Sequence, residues 1–328
     1  MKPVGRTLLI AAVVICGSVC AFGEPDTFRK EEIKAAVLKI AGLVKSNYVF
    51  EKRGNEIANH LVREHEEGKF NSVKSWTEFA SLCTKILQDY SNDGHLYVRH
   101  DAKTVKELLT TTDQEPESGM EDPFFHSRDA RERNFGFDEV KVLKGNIGYI
   151  KLSEINISEK SLPTLFAAME FVVNTKTLIL DLRGNGGGGS EVGPVLESFF
   201  LPKNVKLLEF KSRSGHMTTA ETVPWITQKR YANPLFIIIN KKTGSAAEAL
   251  TFALQAKKRA EVVGQPSAGA AHMNSWYVVN HEIYISVSTG APTLPGTDAS
   301  WERRGVQPDH TVAEGDELEF LLRKIGRN

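Results

Sequence analysis

Three turns in this chain follow predicted strands and carry residues suited to covalent catalysis. The first, "DLRGNGGGGS" (181–190), follows a continuous apolar run and contains four consecutive glycines. Glycines let a backbone approach a ligand closely and leave N–H groups free to bind an anion. A phosphate loop, an oxyanion hole and a flexible turn all fit. The chain lacks a G-x-x-x-x-G-K-[ST] lysine and a convincing G-x-G-x-x-G, which favours the oxyanion hole.

The second turn, "NKKTGSAAEAL" (240–250), contains a serine. Ser245 follows Gly244 where the apolar run "PLFIIIN" passes into a predicted helix. This position turns the side chain out of the sheet, and N–H groups at the helix start can stabilise a developing negative charge. The stretch is not G-x-S-x-G, and serine is also a common helix N-cap. From the local sequence alone, nucleophile and cap both stay open.

Two further candidates lie far from Ser245 along the chain. His95 follows Asp-Gly in "DYSNDGHLYVRH", and Glu302 lies in the third turn, "SWERRGVQPD". Taken singly, each is most simply an exposed residue on a turn. A serine hydroxyl without a base is a poor nucleophile near neutral pH, so a base must come from elsewhere in the chain.

The first 23 residues have the composition of a secretory signal peptide. Lys2 and Arg6 precede an apolar run, and small residues follow it. The run is shorter than the roughly 20 residues of a spanning helix, which favours cleavage after Ala21 or Gly23 over a membrane anchor. We therefore expect a periplasmic or secreted protein with no membrane span after cleavage. Cys83 would then be the only cysteine left after cleavage, and its apolar helical surroundings predict that it is buried.

A small all-helical N-terminal domain is predicted over 24–100. Its helices are expected near 29–47, near 52–67 and over "SWTEFASLCTKILQDY". Residues 101–135 are polar, charged and poor in β-branched apolar residues, which is typical of a linker. This segment is longer than ordinary loops, so it is either a lid or a tether between domains.

The segment 136–325 is predicted to be a layered α/β core. Continuous apolar runs such as "TLILDL" and "PLFIIIN" indicate buried strands, and they alternate with the helical patterns "PTLFAAMEFVVN" and "SAAEALTFALQAKK". Further strands are expected at "NIGYIKL", "AEVVG", "SWYVVN" and "EIYISVS". The 41 basic residues are balanced by 41 acidic ones, which argues against a nucleic-acid partner.

Six segments together resemble the tail-specific or C-terminal processing protease family of serine peptidases. In family order they are "DGHL", "NFGFDEVKVLKGNIGYIKL", "LILDLRGNGGG", "KTGSAAEAL", "VVGQPSAGAAH" and "WERRGVQPD", within about residues 75–315. The resemblance is closer to the branch with the repeats of interphotoreceptor retinoid-binding protein and the tricorn protease core. It implies a serine-peptidase α/β core behind a helical N-terminal domain. No segment has the form of the PDZ domain that processing proteases insert.

The resemblance implies that Ser245 is the nucleophile. The oxyanion donors would be the backbone N–H of Ala246 and one N–H from Gly186 or Gly187. The processing-protease branch has a lysine base 25 positions after its serine. Here that position is Ala270, so the lysine base is absent from this position.

A histidine and a glutamate take the place of the lysine in the tricorn-like branch. His95 and Glu302 occupy the matching motifs, which implies that His95 accepts the Ser245 proton and Glu302 orients the imidazole. His272 lies close behind Ala270 and is a competing base.

Nearby polar residues are assigned structural roles. Glu248 is expected to cap or pair at the start of the helix after Ser245, and Arg183 and Asn185 are expected to shape the glycine loop. Asp181 and Asp309 are interpreted as structural residues at turns.

These residues and the resemblance predict two alternative functions. The first is a serine peptidase that cleaves a peptide or protein through an acyl-enzyme. No metal or cofactor is expected, since the chain has neither H-E-x-x-H nor a Cys/His cluster. The second is a non-catalytic module that binds an apolar small molecule or a protein partner, because fold does not dictate function. The serine, histidine and glutamate together favour the first.

Overall fold

Helices and strands alternate through most of the chain. The computed structural model describes residues 30–112 and 123–326. The helices are α1 (Lys30–Asn47), α2 (Glu51–Glu66), α3 (Trp76–Ser91), α4 (Ala102–Thr112), α5 (Pro123–His126), α6 (Arg128–Glu132), α7 (Leu162–Val172), α8 (Val195–Ser198), α9 (Ala246–Ala256) and α10 (Glu317–Ile325). The strands are β1 (Tyr97–His100), β2 (Phe137–Leu143), β3 (Ile147–Leu152), β4 (Ile155–Ile157), β5 (Thr177–Asp181), β6 (Gly188–Ser190), β7 (Lys206–Ser212), β8 (Met217–Glu221), β9 (Leu235–Ile239), β10 (Ala260–Gly264), β11 (Met273–Val278), β12 (Ile283–Thr293) and β13 (His310–Thr311).

A six-stranded sheet, ordered β13-β10-β9-β5-β3-β2, forms the centre of the core. The strands from β13 to β3 pair in parallel, and β2 adds an antiparallel edge. All residues of β5 and β9 are buried, because both faces of these strands are covered. Leu178 and Leu180 face the main apolar cluster with α7 and α9, whereas Ile179 packs with Leu321 of α10 on the opposite face. The predicted layered α/β core is confirmed.

A second, antiparallel sheet is built around the long strand β12. Strand β12 pairs with β1, β11 and β7, and β7 pairs with β8. Strands β7 and β8 were not predicted from the sequence. Most residues of β8 are exposed, and its sequence "MTTAE" lacks the apolar alternation that marks a half-buried strand. Strand β8 therefore forms because it is hydrogen-bonded to its neighbour β7, and not because its own sequence has a strand pattern.

The N-terminal region is helical, as predicted. Helices α1 and α2 begin and end within one or two residues of the expected positions, and α3 covers the third helical pattern. Their shared core includes Ile40, Leu61 and Leu87, together with Ile285 of β12. Cys83 is fully buried in this core, as its apolar surroundings predicted.

The described parts of segment 101–135 are helical, in α4, α5 and α6. Phe124 of α5 lies against the glycine loop, because a Cβ atom at Gly188 would lie 2.7 Å from its ring. Whether the segment acts as a lid or a tether stays a prediction.

The signal peptide and its cleavage site lie outside the described residues. Among the helices of the described ranges, none has both the length and the apolarity needed to cross a membrane.

Candidate active site

The three loops around Ser245 leave the carboxyl ends of adjacent parallel strands. The glycine loop follows β5, the turn containing Ser245 follows β9, and residues 265–272 follow β10. Backbone hydrogen bonds join them: Gly244 N donates to Asn185 O at 2.9 Å, and Ala268 N donates to Thr243 O at 2.9 Å. Ligands of open parallel sheets bind at this edge, so two of the predicted turns meet the loop after β10 where a site is expected.

Ser245 has a strained backbone at the sharp turn into α9. Its φ of 50° and ψ of −120° are unfavourable for a residue with a side chain. The Ser245 N–H donates to Glu248 Oε2 at 2.8 Å, which holds the turn in place. The buried Glu248 carboxylate also accepts hydrogen bonds from Ser267 Oγ, Gly269 N and Ala270 N. Glu248 thus anchors the helix start, as predicted, and its oxygens are fully occupied.

Gly187 brings the glycine loop against Ser245. Its φ is +108°, and a Cβ atom there would lie 2.6 Å from Ser245 Cβ and 3.0 Å from Ala246 N. Such a contact excludes any side chain at this position. Asn185 supports the loop, since its side chain donates to Leu152 O and accepts from Gly187 N. The predicted role of Asn185 in shaping the loop is confirmed.

The N–H groups of the three predicted oxyanion donors differ in whether they already donate a hydrogen bond. Gly187 N donates to Asn185 Oδ1 at 2.9 Å, so it is already satisfied. Within residues 30–112 and 123–326, no acceptor is found for the N–H of Gly186 or of Ala246. Gly186 is exposed at the surface of the loop. Of the two glycines, Gly186 therefore has the N–H that is free to bind an oxyanion.

Arg183 is held away from the glycines by two carboxylates. Its guanidinium pairs with Asp181 and, at 2.8 Å, with the buried Glu317 of α10. Asp181 also accepts a hydrogen bond from Tyr149 at 2.7 Å. Asp309 accepts from Val262 N, which links the chain after the third turn to β10. These contacts confirm structural roles for both aspartates.

His95 lies on the turn between α3 and β1, and its side chain is half-buried. Its backbone N–H donates to Asp93 Oδ1 at 2.9 Å, and its carbonyl accepts from Ser286 Oγ at 2.6 Å. Nδ1 of the ring is buried and has no hydrogen-bond partner among the described residues, whereas Nε2 is not buried. Burial lowers the pKa of His95 below its ordinary value of 6.5, and the nearby His272 adds to this, although Asp93 opposes it.

A buried cluster of Asp93, His272 and Glu302 lies beside this turn. His272 Nδ1 is 3.0 Å from Asp93 Oδ2 and 3.7 Å from Glu302 Oε1. Tyr48 donates a second hydrogen bond to Asp93 Oδ2 at 2.9 Å. Glu302 Oε2 accepts from the backbone N–H groups of Ala271 and His272. Glu302 is therefore joined to the loop after β10 by two amides.

The cluster stabilises the charged forms of Asp93 and His272. Burial alone would raise the pKa of Asp93, but the hydrogen bond and charge of His272 hold it at about 2. Burial alone would lower the pKa of His272, but Asp93 and Glu302 raise it above 6.5. Burial raises the pKa of Glu302, and the charge of His272 opposes this rise. His272 thus favours the imidazolium form near neutral pH.

The structure joins Glu302 to His272 but gives no hydrogen bond between His95 and either Ser245 or Glu302 within the described ranges. Asp93 and Tyr48 were absent from the sequence-based candidates. Asp93 precedes His95 by two residues, but its Asp-Gly pair was interpreted only as a turn signal. Nothing in the sequence around Tyr48 indicates its contact with Asp93.

The same cluster has a donor set that could hold a metal ion. One ligand atom each of Asp93, His272 and Glu302 lie within 4.8 Å of one another. His272 Nδ1, however, faces Asp93 at hydrogen-bond distance, and Tyr48 occupies the same carboxylate oxygen. A cation would have to displace both contacts, so the cluster fits an ion pair better than a metal site.

Comparison with known proteins agrees with the fold and the loops. The profile of "Peptidase family S41" matches residues 146–312, and that of the "N-terminal domain of Peptidase_S41 in eukaryotic IRBP" matches residues 27–131. The chain is 32% identical over 179 residues to the carboxyl-terminal-processing peptidase 2, chloroplastic, of Arabidopsis thaliana, covering 51% of this chain and 32% of that protein. It is 30% identical over 177 residues to the carboxy-terminal processing protease CtpA of Bacillus subtilis (strain 168), covering 52% of this chain and 36% of that protein.

The tricorn protease has a similar fold. Its solved structure matches with a TM-score of 0.57 at 14% identity, covering 90% of this chain and 36% of that chain. The chain spans about a third of the length of the two curated relatives. The family predicted from the six segments is confirmed: the chain belongs to peptidase family S41.

Proposed function

We propose that this protein is a serine peptidase that cleaves a peptide or protein through an acyl-enzyme on Ser245. The contact between the glycine loop and the Ser245 turn carries the proposal. In this contact a Cβ atom on Gly187 would meet Ser245 and Ala246, and the N–H groups of Gly186 and Ala246 have no acceptor in the described parts of the chain. Such N–H groups stabilise the oxyanion that forms when a serine attacks a carbonyl.

His95 serves as the base in this proposal. Ser245 Oγ attacks the scissile carbonyl carbon, His95 Nε2 accepts the serine proton, and the carbonyl oxygen takes the negative charge. Collapse of the tetrahedral intermediate breaks the C–N bond as the imidazolium returns the proton to the leaving amine. Water then hydrolyses the acyl-enzyme by the same steps. Support comes from the lowered pKa of His95, which keeps the imidazole neutral and able to accept a proton.

Glu302 orients His95 in this proposal. The buried Nδ1 of His95 has no partner among the described residues, and an imidazolium needs an acceptor there. Glu302 accepts both backbone hydrogen bonds through Oε2, whereas Oε1 lies 3.7 Å from His272 Nδ1, so a side-chain rotation must take Oε1 away from His272 to reach His95. We infer that this rotation accompanies substrate binding, because catalytic hydrogen bonds often tighten only in the complex.

His272 is the alternative base. Its contact with two carboxylates, Asp93 and Glu302, resembles the support of a catalytic histidine. The same contacts raise its pKa, which favours the charged form over the neutral imidazole that a base requires. This weakens it as a base.

A secreted or periplasmic location is also part of the proposal, and it rests on the composition of the first 23 residues.

The alternative function, a non-catalytic module for an apolar ligand, finds no support in the comparisons.

Labelling by a fluorophosphonate probe tests the nucleophile. We expect the mature protein to be labelled and Ser245→Ala to abolish labelling, because the probe bonds covalently to an activated serine. Ser275→Ala, which removes an exposed serine of β11, is the matched control and should label like the wild type. Persistent labelling of the Ser245→Ala protein would remove Ser245 as the nucleophile.

The same assay separates the two bases. His95→Gln should slow labelling by about 10²- to 10⁴-fold, the usual contribution of a general base. His272→Gln should slow it much less. The reverse order would assign the base to His272, and thermal melts of both variants would exclude unfolding as the cause.

A further inference from the structure

A narrow apolar pocket of about 270 Å³ opens beside the oxyanion donors. Gly189 and Ser190 of the glycine loop line one side of it, and Ala246 and Ala249 of α9 line another. Leu250 and Ala253 continue the same face of α9, so the pocket follows this helix for about 10 Å from its N-terminus. Because Ala246, a proposed oxyanion donor, lines this pocket, the pocket is placed to receive the substrate side chain next to the scissile carbonyl.

Glu197 of α8 is the ionisable residue in the wall of this pocket. The other lining side chains are apolar or small, and they include Ile157, Leu208 and Phe210. No cation and no donor other than its own backbone interacts with the Glu197 carboxylate in the described parts of the chain. Burial raises the pKa of Glu197 to about 7.

An unpaired carboxylate in an apolar pocket is costly unless a ligand compensates it. Glu197 is partly exposed and lines the pocket, so a ligand inside the pocket can contact it. A cation that enters this space gains a charge-assisted hydrogen bond at low local dielectric. An apolar side chain leaves the carboxyl group without a partner, and an acidic one adds a like charge.

We propose that Glu197 is a specificity-determining residue and that the pocket binds a basic side chain, lysine or arginine, on the acyl side of the scissile bond. This inference rests on the proposed function, since it needs a substrate at Ser245. The aliphatic stem of the basic side chain lies against Ala246, Ala249 and Leu250. Its charged end reaches Glu197, which is then ionised.

Peptidyl phosphonate diphenyl esters test the proposal, because they bond to the catalytic serine and carry a chosen side chain in the pocket. One ester carries a lysine side chain, the second a norleucine side chain with the same stem but no ammonium group, and the third a glutamate side chain. The rate constant of Ser245 labelling is measured for each. We expect the wild type to react at least about 30-fold faster with the lysine ester than with the norleucine ester, as loss of a buried charge pair requires.

Glu197→Gln keeps the size of the side chain and removes its charge. This variant should lose the preference because its reaction with the lysine ester slows, while its reaction with the norleucine ester stays unchanged. Glu221→Gln, an exposed glutamate next to the pocket-lining Ala220, is the matched control and should retain the wild-type preference. Melting temperatures show whether the Glu197→Gln protein folds. The ratio of the wild-type rates with the lysine and norleucine esters tests the proposal without any variant.

Each outcome has one interpretation. Equal rates for the lysine and norleucine esters in the wild type would overturn the proposal, as would an unchanged preference in a folded Glu197→Gln protein. A faster reaction of the glutamate ester would assign the pocket to acidic side chains and also overturn it. If the fluorophosphonate probe labels Ser245 while the esters show no preference, the proposed function stands and the pocket assignment fails. If the probe does not label Ser245, the proposed function itself fails.

Discussion

His95 and His272 are stabilised in opposite protonation states. His95 is half-buried and its Nδ1 has no hydrogen-bond partner among the described residues, and burial favours its neutral imidazole. His272 contacts Asp93 and Glu302, which favour the imidazolium. At the residue scale this difference supports the proposal that His95 accepts the proton and that His272 pairs with Asp93.

The pH dependence of fluorophosphonate labelling tests this assignment. A base acts in its deprotonated form, so the rate rises with pH through the pKa of the base. The pKa of His95 is lowered, so the rate should reach half of its maximum below pH 6.5. A midpoint above pH 6.5, with the rate still rising at neutrality, would instead assign the base to His272.

The ion pair between Asp93 and His272 should contribute to stability. Asp93→Asn leaves a buried imidazolium without its main partner, which typically costs about 3 to 5 kcal/mol. Because the pKa of Asp93 is held at about 2, its contribution is present above the unfolded value near 4 and is lost as pH falls towards 2. Urea unfolding at pH 7 measures the loss.

Asp89→Asn provides the control for this experiment. Asp89 pairs with Lys85 at 2.6 Å on the exposed face of α3. Exposed pairs contribute about 0 to 1 kcal/mol, so this variant should unfold near the wild-type urea concentration. Equal destabilisation by the two substitutions would contradict a special role for the buried pair.

At the scale of elements, two chain turns define the site. The strand–helix turn strains Ser245, and the glycine loop after β5 supplies the surface that this turn packs against. Glu248 and Asn185 hold the two turns through hydrogen bonds to backbone N–H groups. The positions of the proposed oxyanion donors therefore depend on how these two turns pack together.

Gly187→Ala should abolish fluorophosphonate labelling. The added Cβ would lie 2.6 Å from Ser245 Cβ, and the φ of +108° is unfavourable for alanine, so the glycine loop must move away from Ser245. Gly42→Ala is the control, because Gly42 is an exposed helical glycine with open space around its Cβ position. It should label normally and gain roughly 0.5 to 1 kcal/mol of stability. Normal labelling of a folded Gly187→Ala protein would argue against the loop contact.

At the scale of the whole molecule, the helical region and the α/β core share apolar surface. Strand β1 extends from the helical region and pairs with β12, and Ile283, Ile285 and Val287 of β12 are buried among the helices. The turn with Asp93 and His95 lies between α3 and β1, so this shared surface also sets the position of the candidate base. The predicted division of the chain at residues 100 and 136 stays untested by these contacts.

Ile285→Ala should destabilise both regions together. Removing a fully buried isoleucine costs about 2 to 5 kcal/mol, and here the cavity opens between the helices and β12. Unfolding followed by circular dichroism and by tryptophan fluorescence should shift equally. Leu38→Ala, at an exposed position of α1, should change stability by less than about 0.5 kcal/mol. Separate transitions for the two probes would indicate that the regions unfold independently.

Local patterns in the sequence were sufficient for much of the fold. Strands β5 and β9 were predictable because strands covered on both faces are continuously apolar, and α9 was predictable from its helical pattern after Ser245. Strands β7 and β8 were missed because much of their surface is exposed and their pairing, not their composition, makes them strands.

By itself, the sequence determined the family, the layered core and the candidates Ser245, His95 and Glu302, because these depend on short motifs whose order is visible along the chain. The tertiary structure alone decided that Asp93 meets Tyr48 and His272, and that Glu197 lines a pocket beside Ala246. Asp93 and His272 are 179 positions apart along the chain, and their contact depends on how sheets and helices pack. Packing determines how deeply each ionisable group is buried and which charges surround it, and these two factors set its pKa. No local sequence pattern shows them.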